Sequence, residues 1–400
     1  MDMIDYLKWR GDLTFDKDPF NDVDNLLISQ MTYVEMQDVF AKHKKMSVAQ
    51  LSKEYFKDID FNEADSTKNY AMFSQYALKK MAESKRFKDC MVYNYISILH
   101  KDSTEQFAAL MMDIPDGTTV ISFRGTDDTL IGWHEDLMLS YTSIASEEDA
   151  LKYVNENFNI FKKYRIIGHS KGGYLAIYAA VKCNPFFRLR IKEIISNDGP
   201  GLRPGSYKEE DYEKVKDRYK LIVPERDGIG TIYELAQNKL IAECSTSNLI
   251  SAHSMSTWNV LGNRIVEADG GRIETLINYR SIRQFLDDTS PEERELFVKE
   301  LFARFDELKI KTVSDLANSS LGVLIKTISK LMEMDGDAKA TGIKALKAYY
   351  DNIGSDLNKS LSNKSQFFSK ANETLNQMIN TYFRKKIEPD DKPSEDPKEE

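Results

Sequence analysis

Four hundred residues exceed what one ordinary core holds, so the chain is expected to form two domains, or one large domain with an appendage. Apolar residues make up 41% and fall in periodic runs, enough for a substantial core. A net charge of -9 at pH 7 argues against a general affinity for nucleic acid or anionic membrane, while leaving room for local basic patches. The N-terminus, Met1-Asp2-Met3-Ile4-Asp5, carries no basic segment followed by an apolar one, so no signal peptide is expected. No run approaches the roughly 18 apolar residues of a membrane span. Three cysteines, Cys90, Cys183 and Cys244, show neither metal-knuckle nor disulfide spacing and read as reduced thiols of a cytoplasmic protein.

Apolar residues at three- and four-residue spacing predict helices over 24–40, 48–56 and 66–81. The texture changes at residue 91. Runs rich in Val, Tyr and Ile predict strands over 91–99, 106–114 and 119–123, the last two joined by the turn Pro115-Asp116-Gly117-Thr118. A helix is predicted over 147–162, a strand over 164–167, a helix over 172–182, and strands over 191–196, 219–223 and 239–244. Such alternation predicts an α/β fold, a mostly parallel sheet covered by helices on both faces. Beyond residue 275 only helical patterns follow, over 313–334, 338–350 and 366–383, and Ser290-Pro291-Glu292-Glu293 forms a helix start with a capping box. The expected organisation is an N-terminal helical segment over 1–85 packed on the core, an α/β core over 86–275, a C-terminal helical region over 276–387, and an acidic, disordered tail over 388–400.

The chemistry concentrates in Gly168-His169-Ser170-Lys171-Gly172-Gly173. A nucleophile on a sharp strand-to-helix turn needs small flanking residues, so that strand and helix can approach. The bare pentapeptide is a weak signal, but here a β-branched strand enters it and an apolar helix leaves it. A phosphate loop would need Gly-Lys-Ser/Thr, which does not follow. Ser170 is therefore the candidate nucleophile, and a serine hydroxyl needs a base. In this fold the acid and then the histidine follow the serine, and His253 is the sole histidine after Ser170. Asp227, a few residues after the strand over 219–223, is the preferred acid, with Asp198 in Asn197-Asp198-Gly199-Pro200 as the alternative. The backbone N–H groups of Lys171 and Thr126 are the candidate oxyanion donors. Arg124 and Asp136 are expected to pair and support the Thr126 loop.

Phe123-Arg124-Gly125-Thr126, then Trp133 and Asp136, then Gly168 to Gly173 resemble the class 3 lipase branch of the α/β-hydrolases. More specifically, the segment Asp5-Tyr6-Leu7-Lys8-Trp9-Arg10-Gly11-Asp12-Leu13 and the run Asp198-Gly199-Pro200-Gly201 resemble a bacterial lipase-like family within it. The likeness covers residues 1 to about 262; it departs at Tyr174, where relatives commonly carry Asn. The resemblance implies an α/β-hydrolase-like fold and hydrolysis of lipid or small acyl esters through an acyl-enzyme, without metal or cofactor. It also places a lid over residues 130–146, where Trp133, Leu137, Met138 and Leu139 either cover an acyl pocket or belong to ordinary helix core. The alternative is a catalytically idle binding or scaffolding protein acting through its C-terminal helices. These end in basic Arg384-Lys385-Lys386, which suits a protein or membrane-surface partner.

Overall fold

The computed structural model describes residues 1–66, 69–100, 102, 104–127, 129–226, 229–271, 273–310, 312, 334 and 336–352. An eight-stranded sheet runs in chain order: β1 (Lys45–Ser47), β2 (Met91–His100), β3 (Glu105–Ile114), β4 (Thr118–Phe123), β5 (Lys163–His169), β6 (Ile191–Asn197), β7 (Tyr219–Pro224) and β8 (Asn238–Ala242). β1 to β4 pair antiparallel, and β4 to β8 pair parallel. A small β9–β10 ladder (Val260–Leu261 with Arg264–Ile265) lies apart from it.

Chain-order neighbours have a consequence for the layers. Successive parallel strands are joined by crossovers of one hand, so crossovers that always move in the same direction deliver their helices to the same face. The helices α1 (Met3–Arg10), α2 (Asp22–Met31), α3 (Gln37–Phe40), α4 (Val48–Tyr55) and α5 (Tyr70–Glu83) precede the main strands. After β4 come α6 (Leu130–Met138), α7 (Ala145–Glu156), α8 (Lys171–Lys182), α9 (Pro185–Arg188), α10 (Glu209–Glu213) and α11 (Leu249–Ala252). Residues of α7 and α8 share one core with Ile121, Ile166, Ile194 and Leu221. Residues of α1, α2, α4 and α5 cover the opposite face, on Val120, Ile167, Ile195 and Ile222. Successive strand residues thus point to opposite faces, and both faces are buried, which is why these strands read as unbroken apolar runs. The architecture is α/β-hydrolase-like.

Two predicted helices are shorter than their patterns. The one over 24–40 divides into α2 and α3, because the Thr32 hydroxyl turns back to the Ile28 carbonyl (2.9 Å) and meets Ser122 Oγ (2.7 Å), ending α2 on the sheet. The one over 147–162 stops at Glu156, where Asn157 Nδ2 donates to the Tyr153 carbonyl (2.8 Å). The three cysteines form no disulfide, and each thiol donates to a backbone carbonyl; burial pushes those of Cys90 and Cys244 up to about 12 and that of Cys183 up to about 11.

Beyond the sheet lie α12 (Ile273–Asp287), α13 (Pro291–Glu307) and α14 (Gly336–Asn352). The Ser290 capping box is formed in both directions. The helices expected over 313–334 (Met334 apart) and 366–383, the basic run 384–386 and the acidic tail lie outside the described residues. Among the described residues, no helix is long and apolar enough to cross a membrane. α13 docks on α6: Leu130, Val298, Phe302 and Ile310 form a separate small core, with Trp133 packed against it. Of the other lid candidates, Leu139 packs against the α7–α8 layer and Leu137 is exposed.

His134 and Phe302 stack in parallel at the centre of this contact, 4.2 Å between ring centroids. Burial lowers the His134 pKa from its ordinary 6.5; Asp306 opposes the shift and Lys299 adds to it. A depressed imidazole pKa means that the unfolded chain binds the proton first. The contact is therefore at full strength above pH 6.5 and weakens as pH falls below it. Thermal unfolding followed from pH 7.5 to about 5.5 should show this loss, and His134→Phe should remove its share of the slope. An unchanged slope in the variant would put the pH dependence elsewhere.

Candidate active site

Ser170 stands between the last residue of β5 and the first of α8, at φ 57° and ψ -129°. A left-handed conformation is costly for a non-glycine residue and persists only where the surroundings enforce it. Three glycines make the turn possible. A Cβ on Gly168 would collide with the Gly172 carbonyl, one on Gly172 with the Phe123 carbonyl, and one on Gly173 with Ser196 Oγ. The Ser170 N–H is taken by the Asn197 carbonyl at 2.9 Å. The Asn197 side chain then donates to the Gly168 carbonyl (3.1 Å) and Ser29 Oγ (3.1 Å), and accepts from Asn25 Nδ2 (2.7 Å). This wholly buried amide cluster props the turn from below, against α2.

Asp198 follows directly after β6, also at positive φ (52°) and wholly buried. Its backbone N–H donates to the Ile222 carbonyl (2.7 Å), and its Oδ1 accepts the Gly230 N–H (2.9 Å). Oδ2 lies 2.7 Å from Nδ1 of His253. Asp227, the preferred acid of the sequence reading, lies outside the described residues; the carboxylate found on His253 is that of the alternative, Asp198.

His253 sits on the loop after α11, anchored where buried Trp258 Nε1 donates to the Ala252 carbonyl (2.9 Å). Its ring is 4.7 Å from the ring of His169, the residue just before the nucleophile. His169 Nε2 lies 2.8 Å from the His253 carbonyl oxygen, and its Nδ1 lies 2.7 Å from the Tyr33 hydroxyl. A carbonyl only accepts, so Nε2 of His169 carries the proton and Tyr33 donates to Nδ1. In the same way, the carboxylate fixes the proton of His253 on Nδ1 and leaves Nε2 as its basic nitrogen.

The loop after β4 passes beside the nucleophile: a Cβ on Gly125 would lie 2.9 Å from the Ser170 Cβ. Thr126 follows, and its hydroxyl donates to both oxygens of Asp136 (2.8 and 2.7 Å). Burial raises the Asp136 pKa against the opposing effect of Lys171. Lys171 opens α8, so its backbone N–H has no acceptor within the helix. Its side chain is wholly buried, with Nζ 2.5 Å from Glu135 Oε2 and 3.7 Å from Asp136 Oδ1. The expected Arg124–Asp136 pair does not form. Arg124 shares the parity of Val120 and Ser122 and so leaves the sheet on the N-terminal-helix face, where it meets Glu35 (3.2 Å), whereas Asp136 lies on α6 beside Lys171. Among the described residues, no cluster of three His, Cys, Asp or Glu side chains is placed to hold a metal ion.

Sequence reasoning passed over the contribution of α2. Asn25 and Ser29 on α2, and Tyr33 just beyond its end, recur every four residues as one polar stripe that reaches the nucleophile turn and His169. That spacing was the available signal.

No curated protein matches the chain. Among solved structures, M37 lipase is 18% identical, covering 53% of this chain and 70% of its own, with a TM-score of 0.34. A fungal lipase in complex with an inhibitor is 14% identical, covering 67% of this chain and 87% of its own, with a TM-score of 0.33. Lipase II from Rhizopus niveus is 14% identical, covering 44% and 72%, with a TM-score of 0.29. The family model described as Mbeg1-like matches residues 81–303, more than half of the chain and the whole stretch that holds Ser170, Asp198 and His253. The chain belongs to the Mbeg1-like family.

Proposed function

We propose that the protein is a serine hydrolase of carboxylic esters, of lipids or smaller acyl compounds, acting through Ser170, His253 and Asp198. The observation that carries this reading is the 2.7 Å hydrogen bond from His253 Nδ1 to a buried carboxylate, with the His253 ring 4.7 Å from His169, the residue before a serine held at φ 57°. His253 Nε2 takes the Ser170 proton as Oγ attacks the acyl carbonyl, and returns it to the leaving alkoxide. The backbone N–H groups of Thr126 and Lys171 receive the developing oxyanion, the second with the help of the α8 dipole. Water then repeats the sequence on the acyl-enzyme, again with His253 as base. The Asp136 carboxylate holds the Thr126 hydroxyl, which orients that loop.

A fluorophosphonate probe tests the reading directly. The folded protein is expected to label, Ser170→Ala to abolish labelling without changing the melting temperature, and short acyl esters to be cleaved by the parent alone. No labelling and no ester cleavage by a folded sample would favour the idle binding protein instead.

A further inference from the structure

At the end of the sheet opposite Ser170, two loops enter β5 and β6. The first, residues 157–162, carries Ile160 and Phe161, which are 54% and 91% exposed. The second, residues 183–190, carries Phe186 and Leu189, which are 67% and 79% exposed. The two loops are braced as one body. Asn184 donates to Asn155 Oδ1 through its backbone N–H (3.1 Å) and Nδ2 (3.2 Å), and Arg190 Nε donates to the Lys162 carbonyl (2.9 Å). Inward-facing Phe187 stacks on Tyr164 at 4.7 Å and meets Phe158 at 5.7 Å. The four outward side chains are therefore held out in water by a rigid base, and large apolar groups so grouped mark an interaction surface.

Charge says what covers them. Lys163, Lys182, Arg190 and Lys192 flank the two loops, and none has an acidic partner among the described residues. Of the acids at this end, Asp113 is matched by Lys162 and Lys45, Glu193 by Arg165, Asp211 by Arg188 and Lys214, and Glu213 by Lys216; the two loops with their flanks, 155–164 and 182–193, hold six cations against Glu156 and Glu193. The excess is positive, on a chain whose net charge is -9. A second copy across a two-fold axis would set these cations against one another.

We propose that this face docks on an anionic lipid bilayer, with Ile160, Phe161, Phe186 and Leu189 in the interfacial layer and the four cations at the headgroups. The docking does not depend on the hydrolase reading. It does orient the molecule: β5, seven residues long, separates the patch from Ser170 by roughly 20 Å, so the nucleophile faces away from the bilayer and its ester arrives from the aqueous side.

The test is sedimentation of the full chain with vesicles of phosphatidylcholine containing phosphatidylserine, against vesicles of phosphatidylcholine alone. Binding is expected to the anionic vesicles only and to weaken with salt. The triple variant Phe161→Ser, Phe186→Ser, Leu189→Ser should lower the partition coefficient by about tenfold or more, with an unchanged melting temperature. Lys163→Glu with Lys192→Glu should lower it as well. Failure of the parent to bind anionic vesicles, or undiminished binding by the triple variant, would overturn the proposal. So would a dimer, seen by light scattering, that the triple variant dissolves. Ester hydrolysis is measured on the same samples, so a protein that binds vesicles without cleaving esters defeats the hydrolase reading alone.

Discussion

Asp198→Asn is expected to lower kcat for a short acyl ester by about ten thousandfold, with the fold and melting temperature intact. Asparagine tolerates positive φ as aspartate does, and its carbonyl oxygen can still accept the Gly230 N–H. What it cannot do is accept from His253 Nδ1 while its amide nitrogen faces the ring. The imidazole then turns its bare nitrogen to the introduced amide and its N–H toward the serine, the wrong tautomer for a base. Asp227→Asn is the internal comparison and should stay within a few-fold of the parent. Kinetics on the purified variants decide the point: a collapse in Asp227→Asn with Asp198→Asn nearly intact would hand the acid's role to Asp227. Full activity in both would leave His253 acting without a carboxylate.

The ambiguity between the two acids shows where sequence reasoning reaches its limit. Both aspartates follow a strand, and the Gly-Pro setting of Asp198, which reads as a structural turn, favours Asp227 on local chemistry. Asp198 reaches His253 because β6 is hydrogen-bonded directly to β5, which leads into the nucleophile, and because the loop after α11 folds back over His169. Neither fact is written in a local pattern. The nucleophile itself was legible, since the collision that excludes a side chain at 168 lies within the strand-turn-helix path, whereas the one at 172 is with Phe123 on neighbouring β4. The central strands were legible because burial on both faces leaves an unbroken apolar signature. Arg124 was misassigned for a related reason. A pair with Asp136 was expected to hold the Thr126 loop, whereas strand parity sends the Arg124 side chain through to the other face. The α2 stripe was hidden because a polar residue every fourth position normally marks solvent, and here it marks the underside of the nucleophile turn. The capping box at Ser290 announced α13, but its seat on α6 depends on shapes that appear only once both helices exist.

Glu135→Gln is expected to destabilise the protein by about 3 kcal/mol, because it leaves the buried Lys171 ammonium only the more distant Asp136 carboxylate, at 3.7 Å. For a cooperative unit of this size, that corresponds to a melting temperature lower by roughly 10 °C. Glu135 is the busier partner: besides Lys171 it accepts the Gln106 N–H (3.1 Å), the Ser146 N–H (3.3 Å) and the Ser146 hydroxyl (2.6 Å). Lys171→Met should therefore cost less, since the carboxylate keeps three donors while the methionine fills the vacated space. Combining the two changes should cost less than their sum, and the shortfall measures the pair's coupling. Salt should scarcely alter it, because neither group meets solvent. The pair also bears on catalysis. Lys171 supplies a proposed oxyanion donor from its backbone, and its side chain ties the start of α8 to α6, which carries the Asp136 partner of Thr126. Loosening that tie should reduce kcat more than it raises KM, as expected when donors aimed at a transition state lose their aim. Urea unfolding of the four proteins, with kinetics on each, tests both halves. Additive losses would show that the 2.5 Å contact carries no coupling, and an unchanged kcat in Glu135→Gln would confine the pair to holding the fold.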